Sequence, residues 1–161
     1  MKIAVLSDSH DNIWKLDAAM SILSKADAVL HCGDLCSPFM VKRMAEDIQA
    51  PIHVVWGNND GDRFNILKLS QNYQHIHIEG PYCELNLGGR EIAMTHYPQI
   101  ACAAAHSGQY DLVCYGHDHT AYQERVGSCL VLNPGELMGL RGRSTVACVD
   151  LETMEAEVIE I

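Results

Sequence analysis

Residues 114 to 120 read CYGHDHT, with His117 and His119 flanking Asp118 just after the apolar run YDLVCYG. Neutral imidazole is the commonest metal-binding side chain. The pair is therefore either an ordinary polar loop or part of a metal site. Other stretches supply partners of matching chemistry: Asp8 and His10 in SDSHDN, Asp34 in HCGDL, Asn58 in WGNND and His96 in MTHY. Singly, Asp8, Asp34 and Asn58 also read as turn formers or helix N-caps, and His96 as a loop or core histidine. Together they make seven oxygen and nitrogen donors without a thiolate. A structural zinc takes four ligands, mostly cysteine and histidine; seven exceed one ion and suit two. If Asp34 is shared, about four of the roughly twelve positions on two octahedral ions stay open for water and substrate. Open positions imply chemistry rather than a structural staple. The donor set suits manganese, iron, cobalt, nickel or zinc without choosing among them.

The elements that must carry these residues alternate between strand and helix. Residues 2–7, 26–34 and 51–58 are short apolar runs suited to buried strands. Ile13, Leu16, Met20 and Leu23 recur at helical spacing, which predicts an amphipathic helix over 12–24. Ser37-Pro38 opens a second helix, with a hydroxyl N-cap and a proline in the first turn, and residues 62–71 suit a third. The rhythm then changes. HIHIEG, YCELNLGG and REIAMTHY alternate like strands, with Gly88-Gly89 as a tight turn. A helix over 98–106, strands at 111–115, 121–126 and 129–132, and a closing hairpin turning near Glu152-Thr153 complete the chain. This order fits one mixed α/β domain over residues 1–161, with two packed sheets and outer helices. Each donor falls just past the carboxyl end of an apolar run, the edge where open α/β sheets bind ligands. Glycines before Asp34, Asn58 and His117 permit sharp turns or close approach.

Bulk properties narrow the function further. The 161 residues carry a net charge of −10, which disfavours strong nucleic-acid binding through a basic surface. A small anionic substrate stays compatible if bound cations reverse the local charge. No apolar run approaches the roughly 20 residues that span a membrane, and the N-terminus lacks the features of a signal peptide. The seven scattered cysteines include no CxxC pair; this points to a reducing compartment, the cytoplasm, with most of them as small buried hydrophobes.

The ordered set Asp8-x-His10, Gly33-Asp34, Gly57-Asn58, His96 and Gly116-His117-x-His119 resembles the calcineurin-like metallophosphoesterases. The short length and LNPGE at 132–136 are similar to the small YfcE-type phosphodiesterases. The resemblance implies a four-layer α/β/β/α sandwich and a metal-dependent phosphodiesterase with a bridging hydroxide as nucleophile. It places Asp8, His10, Asp34 and His119 on a first divalent ion, and Asp34, Asn58, His96 and His117 on a second, with Asp34 bridging. Mn²⁺ is the expected ion, with Ni²⁺, Fe²⁺, Co²⁺ and Zn²⁺ as alternatives. Asp118 is expected to cap the turn or to hydrogen-bond a ligand histidine. Many relatives carry histidine after the Gly-Asn pair; here Asn59 stands there, able to orient a phosphate by hydrogen bonding but not to act as a general acid. The Asn133-Pro134-Gly135 backbone is expected to line the site. Arg63, Arg141 and Arg143 are candidates to contact an anionic substrate, with a solvated surface charge as the favoured reading of each. A small phosphodiester is the expected partner, and the resemblance implies a homo-dimer or homo-tetramer. The competing reading is a catalytically weak interaction scaffold on the same fold, as in a retromer subunit.

Overall fold

The computed structural model describes residues 1–161. The first half runs β1 (Lys2–Leu6), α1 (Ile13–Leu23), β2 (Ala28–His31), α2 (Pro38–Asp47), β3 (Ile52–Val55), α3 (Arg63–Ser70) and β4 (Ile76–Gly80). The second runs β5 (Tyr82–Leu87), β6 (Arg90–Thr95), α4 (Pro98–His106), β7 (Leu112–Cys114), β8 (Tyr122–Val126), β9 (Cys129–Asn133), β10 (Thr145–Asp150) and β11 (Glu155–Glu160). The six-stranded sheet has the order β11-β10-β1-β2-β3-β4 and the five-stranded sheet β5-β6-β7-β9-β8. Strands β1 to β4 are mutually parallel, as are β6, β7 and β9; β10 and β11 add an antiparallel hairpin to the first sheet.

Period-2 alternation divides the apolar residues among three cores. On β1, Ala4 and Leu6 turn outward and pack with Leu16, Met20 and Leu23 of α1 and Met40, Val41 and Met44 of α2. Ile3 and Val5 turn inward and meet Ile92, Met94, Leu112 and Cys114 of the other sheet. Ala93, Val113 and Val131 form the third core, under Ala101 and Ala105 of α4. Three cores separate four layers, so the chain is an α/β/β/α sandwich of two mixed sheets. Helix starts follow local chemistry: Asn12, Ser37 and Asp62 each accept a backbone N–H of the helix they cap, and Pro38 sits in the first turn of α2. Expected and observed elements agree to within a residue or two at most ends. Of the seven cysteines, Cys32, Cys83, Cys114 and Cys129 are buried, and Cys102 is exposed. No helix is long and apolar enough to cross a membrane.

Two consequences matter for chemistry. The parallel strands of both sheets end at one edge of the sandwich. The loops leaving that edge are anchored on strands such as β2, in which all four residues are buried. Truncating one such leucine to alanine typically costs about 2–5 kcal/mol, so the anchors resist movement.

Candidate metal centre

Loops after β1, β2, β3, β6 and β7 bring Asp8, His10, Asp34, Asn58, His96, His117 and His119 together. His10 Nε2 lies 3.7 Å from Asp8 Oδ1 and 3.5 Å from Asp34 Oδ2. His119 Nε2 lies 3.3 Å from Asp8 Oδ1. On the other side, His96 Nε2 is 3.5 Å from Asp34 Oδ2 and 3.1 Å from Asn58 Oδ1. His117 Nδ1 is 2.9 Å from the same Asn58 oxygen and 3.3 Å from His96 Nε2. Asp34 thus faces both histidine groups. Asp8, His10 and His119, and separately Asp8, Asp34 and His96, place one donor atom each within 4.8 Å of the others.

The polarity of these atoms carries the meaning. His96 Nδ1 lies 2.8 Å from the Cys32 carbonyl, which can only accept. Its Nε2 is therefore a lone pair in the neutral ring, and it converges with the lone pairs of Asn58 Oδ1. Asp8 divides its carboxylate: Oδ2 accepts the His117 backbone N–H at 3.0 Å, while Oδ1 is buried without a partner. His10 Nε2 is likewise buried and unpartnered. Acceptors crowded in this way repel one another unless a cation lies among them, so the donor set fits divalent ions.

Protonation follows the same field. Burial pushes the Asp34 carboxyl up, but His96 and the two Asn59 donors outweigh it and hold it well below the usual carboxylate range. Asp8 is also lowered, with burial opposed by His10 and Ser7. The Asp8 carboxylate raises His10 to about 10. Burial depresses His96, but Asp34 more than reverses that. Without metal, protons fill the cationic role.

The backbone is unusual at the same residues. Asp8, His10, Asp34, His117 and His119 have φ of 51°, 41°, 57°, 73° and 58°, a region that non-glycine residues visit at a cost of about 1–3 kcal/mol each. The expected turning glycines contribute differently. At Gly57 a Cβ would lie 2.5 Å from Asp34 N and 2.8 Å from Asp34 Cγ, and at Gly116 it would strike Ser7 Oγ and lie 2.7 Å from Asp8 Oδ2. These two glycines give room for carboxylates rather than turning the chain.

Several residues differ from expectation. Asp118 is exposed and its side chain makes no hydrogen bond, because the turn directs it to solvent. The partner of a loop histidine is instead Glu136, whose Oε2 accepts from His119 Nδ1 at 2.7 Å. Asn59 gives one N–H of its side-chain amide to Asp34 Oδ2 and its backbone N–H to Asp34 Oδ1, each at 2.7 Å, which leaves the second amide N–H for a phosphate. Arg63 is no loose surface charge. It donates to the carbonyls of Asp60 and Gly57 at 3.0 Å each and stacks 5.1 Å over Trp56, stapling the loop after β3. Arg143 pairs with Glu160 at the surface, and the Arg141 side chain makes no hydrogen bond. The Asn133-Pro134-Gly135 turn pins the histidine loop through Asn133 Nδ2, which donates to the Gly116 carbonyl at 3.1 Å.

Asp60 and Glu136 were not singled out from sequence. Asp60 is buried and accepts the backbone N–H groups of Asp34, Cys36 and Gly57 at 3.1, 2.8 and 2.6 Å, tying two loops together. The available signal was a charged residue closing a singled-out motif: the last residue of GNND for Asp60 and of NPGE for Glu136. A groove of about 840 Å³ between β8, β10 and β11 shares no residue with this cluster.

An edge site built from carboxylates and imidazoles at the strand ends of an α/β/β/α sandwich defines a class of phosphoester hydrolases. The chain belongs to the calcineurin-like phosphoesterase superfamily, whose profile matches residues 1–154. Membership implies divalent metal ions as cofactors. The chain is 34% identical over 160 residues to phosphodiesterase MJ0936 of Methanocaldococcus jannaschii, covering 96% of each protein. It superposes on a solved archaeal phosphodiesterase with a TM-score of 0.92, at 34% identity over the whole of both chains. The YfcE phosphoesterase of E. coli shares the fold, with a TM-score of 0.65 and 19% identity over both full chains.

Proposed function

We propose that the chain, acting as one domain over residues 1–161, is a binuclear metal-dependent phosphodiesterase acting on small phosphodiesters. The observation that carries this reading is the convergence of metal-binding side-chain atoms around Asp34, with Asp8 Oδ1 and His10 Nε2 buried and unpartnered. The relatives named as phosphodiesterases support the choice of diester.

Asp8, His10, Asp34 and His119 would hold one ion, and Asp34, Asn58, His96 and His117 the other. Bound there, the ions supply an activated water nucleophile and offset negative charge on the phosphoryl oxygens. The chain's own residues keep the donors fixed. The Cys32 carbonyl holds the His96 proton on Nδ1, leaving Nε2 open. Asn59 holds both oxygens of Asp34, the shared carboxylate. His31 is fully buried, accepts the Gly33 N–H on Nδ1 and so donates through Nε2 to Ser9 Oγ, which steadies the loop between Asp8 and His10. Asn59 offers no exchangeable acid at neutral pH, so leaving groups that depart without protonation are favoured. An activated aryl diester is the expected substrate in vitro, with monoesters slower. Mn²⁺ is the proposed ion, and a cytoplasmic homo-dimer or homo-tetramer the proposed form.

The test is chelator-stripped protein resupplied with Mn²⁺, Ni²⁺, Co²⁺, Fe²⁺ or Zn²⁺ and assayed on an aryl diester and monoester panel. Two metal equivalents per chain with faster diester hydrolysis are expected. Absence of hydrolysis with every ion refutes the enzyme reading, and two bound equivalents without turnover favour the scaffold.

A further inference from the structure

We infer that Glu136 is a positioning residue that decides which nitrogen of His119 carries the proton. The inference rests on the proposed metal centre for its consequence, but not for its geometry. Glu136 follows β9 and is 0% exposed. A buried carboxylate is expensive unless its oxygens are filled by donors. Oε1 accepts the backbone N–H groups of Arg141 and Gly142, at 2.5 and 2.8 Å. Oε2 accepts from His119 Nδ1 at 2.7 Å. The Thr145 N–H binds the Glu136 carbonyl at 3.0 Å, so the backbone beneath the side chain is also fixed.

The polarity of this arrangement leaves His119 no choice. A carboxylate oxygen can only accept, so the neutral imidazole must carry its proton on Nδ1. Nε2 is then an unprotonated lone pair, and it is the nitrogen that faces Asp8 Oδ1 at 3.3 Å. A carboxylate behind a histidine raises its basicity and sets its orientation, and losing such a partner costs 10–100-fold in metal affinity.

The carboxamide isostere makes the inference testable. In Glu136→Gln, two fixed backbone donors, Arg141 N–H and Gly142 N–H, demand the amide oxygen on their side. The amide NH₂ then falls opposite His119 Nδ1, which must become an acceptor. The His119 proton moves to Nε2 and blocks that nitrogen. Glu136→Asp is shorter by one methylene but keeps acceptors on both sides, so it retains the original tautomer.

The experiment is long-range ¹H–¹⁵N NMR of the histidine rings in metal-free full-length protein, with metal stoichiometry and affinity by calorimetry using Mn²⁺. Wild type and Glu136→Asp should show His119 protonated on Nδ1, and Glu136→Gln on Nε2. Glu136→Gln should weaken one of two Mn²⁺ equivalents 10–100-fold, and more than Glu136→Asp does. A wild-type His119 protonated on Nε2 and not on Nδ1 overturns the inference, and that reading needs no folded variant. So does a Glu136→Gln protein with Nδ1 still protonated, or with both Mn²⁺ equivalents unchanged. Wild type that binds no metal yet shows the tautomer switch removes the proposed function and leaves the assignment of Glu136 standing.

Discussion

Of two nearby glycines, one should respond strongly and the other hardly at all to the same small change. In Gly57→Ala the new methyl would lie 2.5 Å from Asp34 N and 2.8 Å from Asp34 Cγ, against the 3.4 Å at which ordinary contact begins. The methyl would also strike Asp34 Oδ1, so the loops must separate by about 1 Å, and overpacking of this kind costs about 1–3 kcal/mol. For a chain of this length that lowers Tm by about 2–10 °C. The displaced group is Asp34, the proposed shared carboxylate, and a shift near 1 Å at a reacting centre costs on the order of 100-fold in rate. Gly61→Ala is the control. Its nearest neighbour is the Asn59 carbonyl oxygen at 4.0 Å, and its backbone is not left-handed. That variant should keep wild-type stability within about 1 kcal/mol and wild-type kcat/KM within about twofold. Thermal melts, Mn²⁺ calorimetry and diester hydrolysis on both variants decide the matter. A Gly57→Ala protein with wild-type metal affinity and rate would refute the placement of Asp34 against Gly57.

Asp34→Asn should lose more metal than any other single ligand change, because Asp34 faces both His10 and His96 at 3.5 Å; its affinity should fall by more than the ~100-fold typical of outer partners, as measured by metal content after desalting. Metal binding should release about one proton at pH 7, since His10 is raised to about 10 by Asp8 and must be neutral to coordinate; calorimetry in buffers of different ionisation enthalpy counts it. The sign for the metal-free protein is opposite: a raised histidine adds stability below its unfolded value near 6.5, and that contribution is lost as pH rises toward 10, so melts of wild type and His10→Asn should converge over that window. Asp60→Asn should cost about 1–3 kcal/mol for the N–H left without an acceptor, a fall in Tm of about 2–10 °C, and unchanged melting would dismiss Asp60 as the tie between the two loops.

The centre was legible in the sequence to the extent that it depends on residue type and chain order. Donor chemistry resides in the side chains of Asp8, His10, Asp34, Asn58, His96, His117 and His119. The strand–helix rhythm of β1 to β3 sends the loops of Asp8, His10, Asp34 and Asn58 to one sheet edge, and the parallel pair β6 and β7 does the same for His96, His117 and His119. The alternation of Ile3 and Val5 against Ala4 and Leu6 likewise marked a strand covered on both faces.

Other features depend on which loop meets which. Glu136 reaches His119 only because β9 pairs with β7, with the edge strand β8 crossing between them in the chain. Asp60 meets Asp34 because β3 lies beside β2. The choice of Nε2 on His96 and Nδ1 on His117, the commitment of Asn59 to Asp34 and the idleness of Asp118 were settled in the same way. Hydrophobic period and turn preference act over a few residues and report where a strand ends. The pairing of a proton with a lone pair is set by contacts between segments 17 to 64 positions apart, and only the assembled sandwich brings those together.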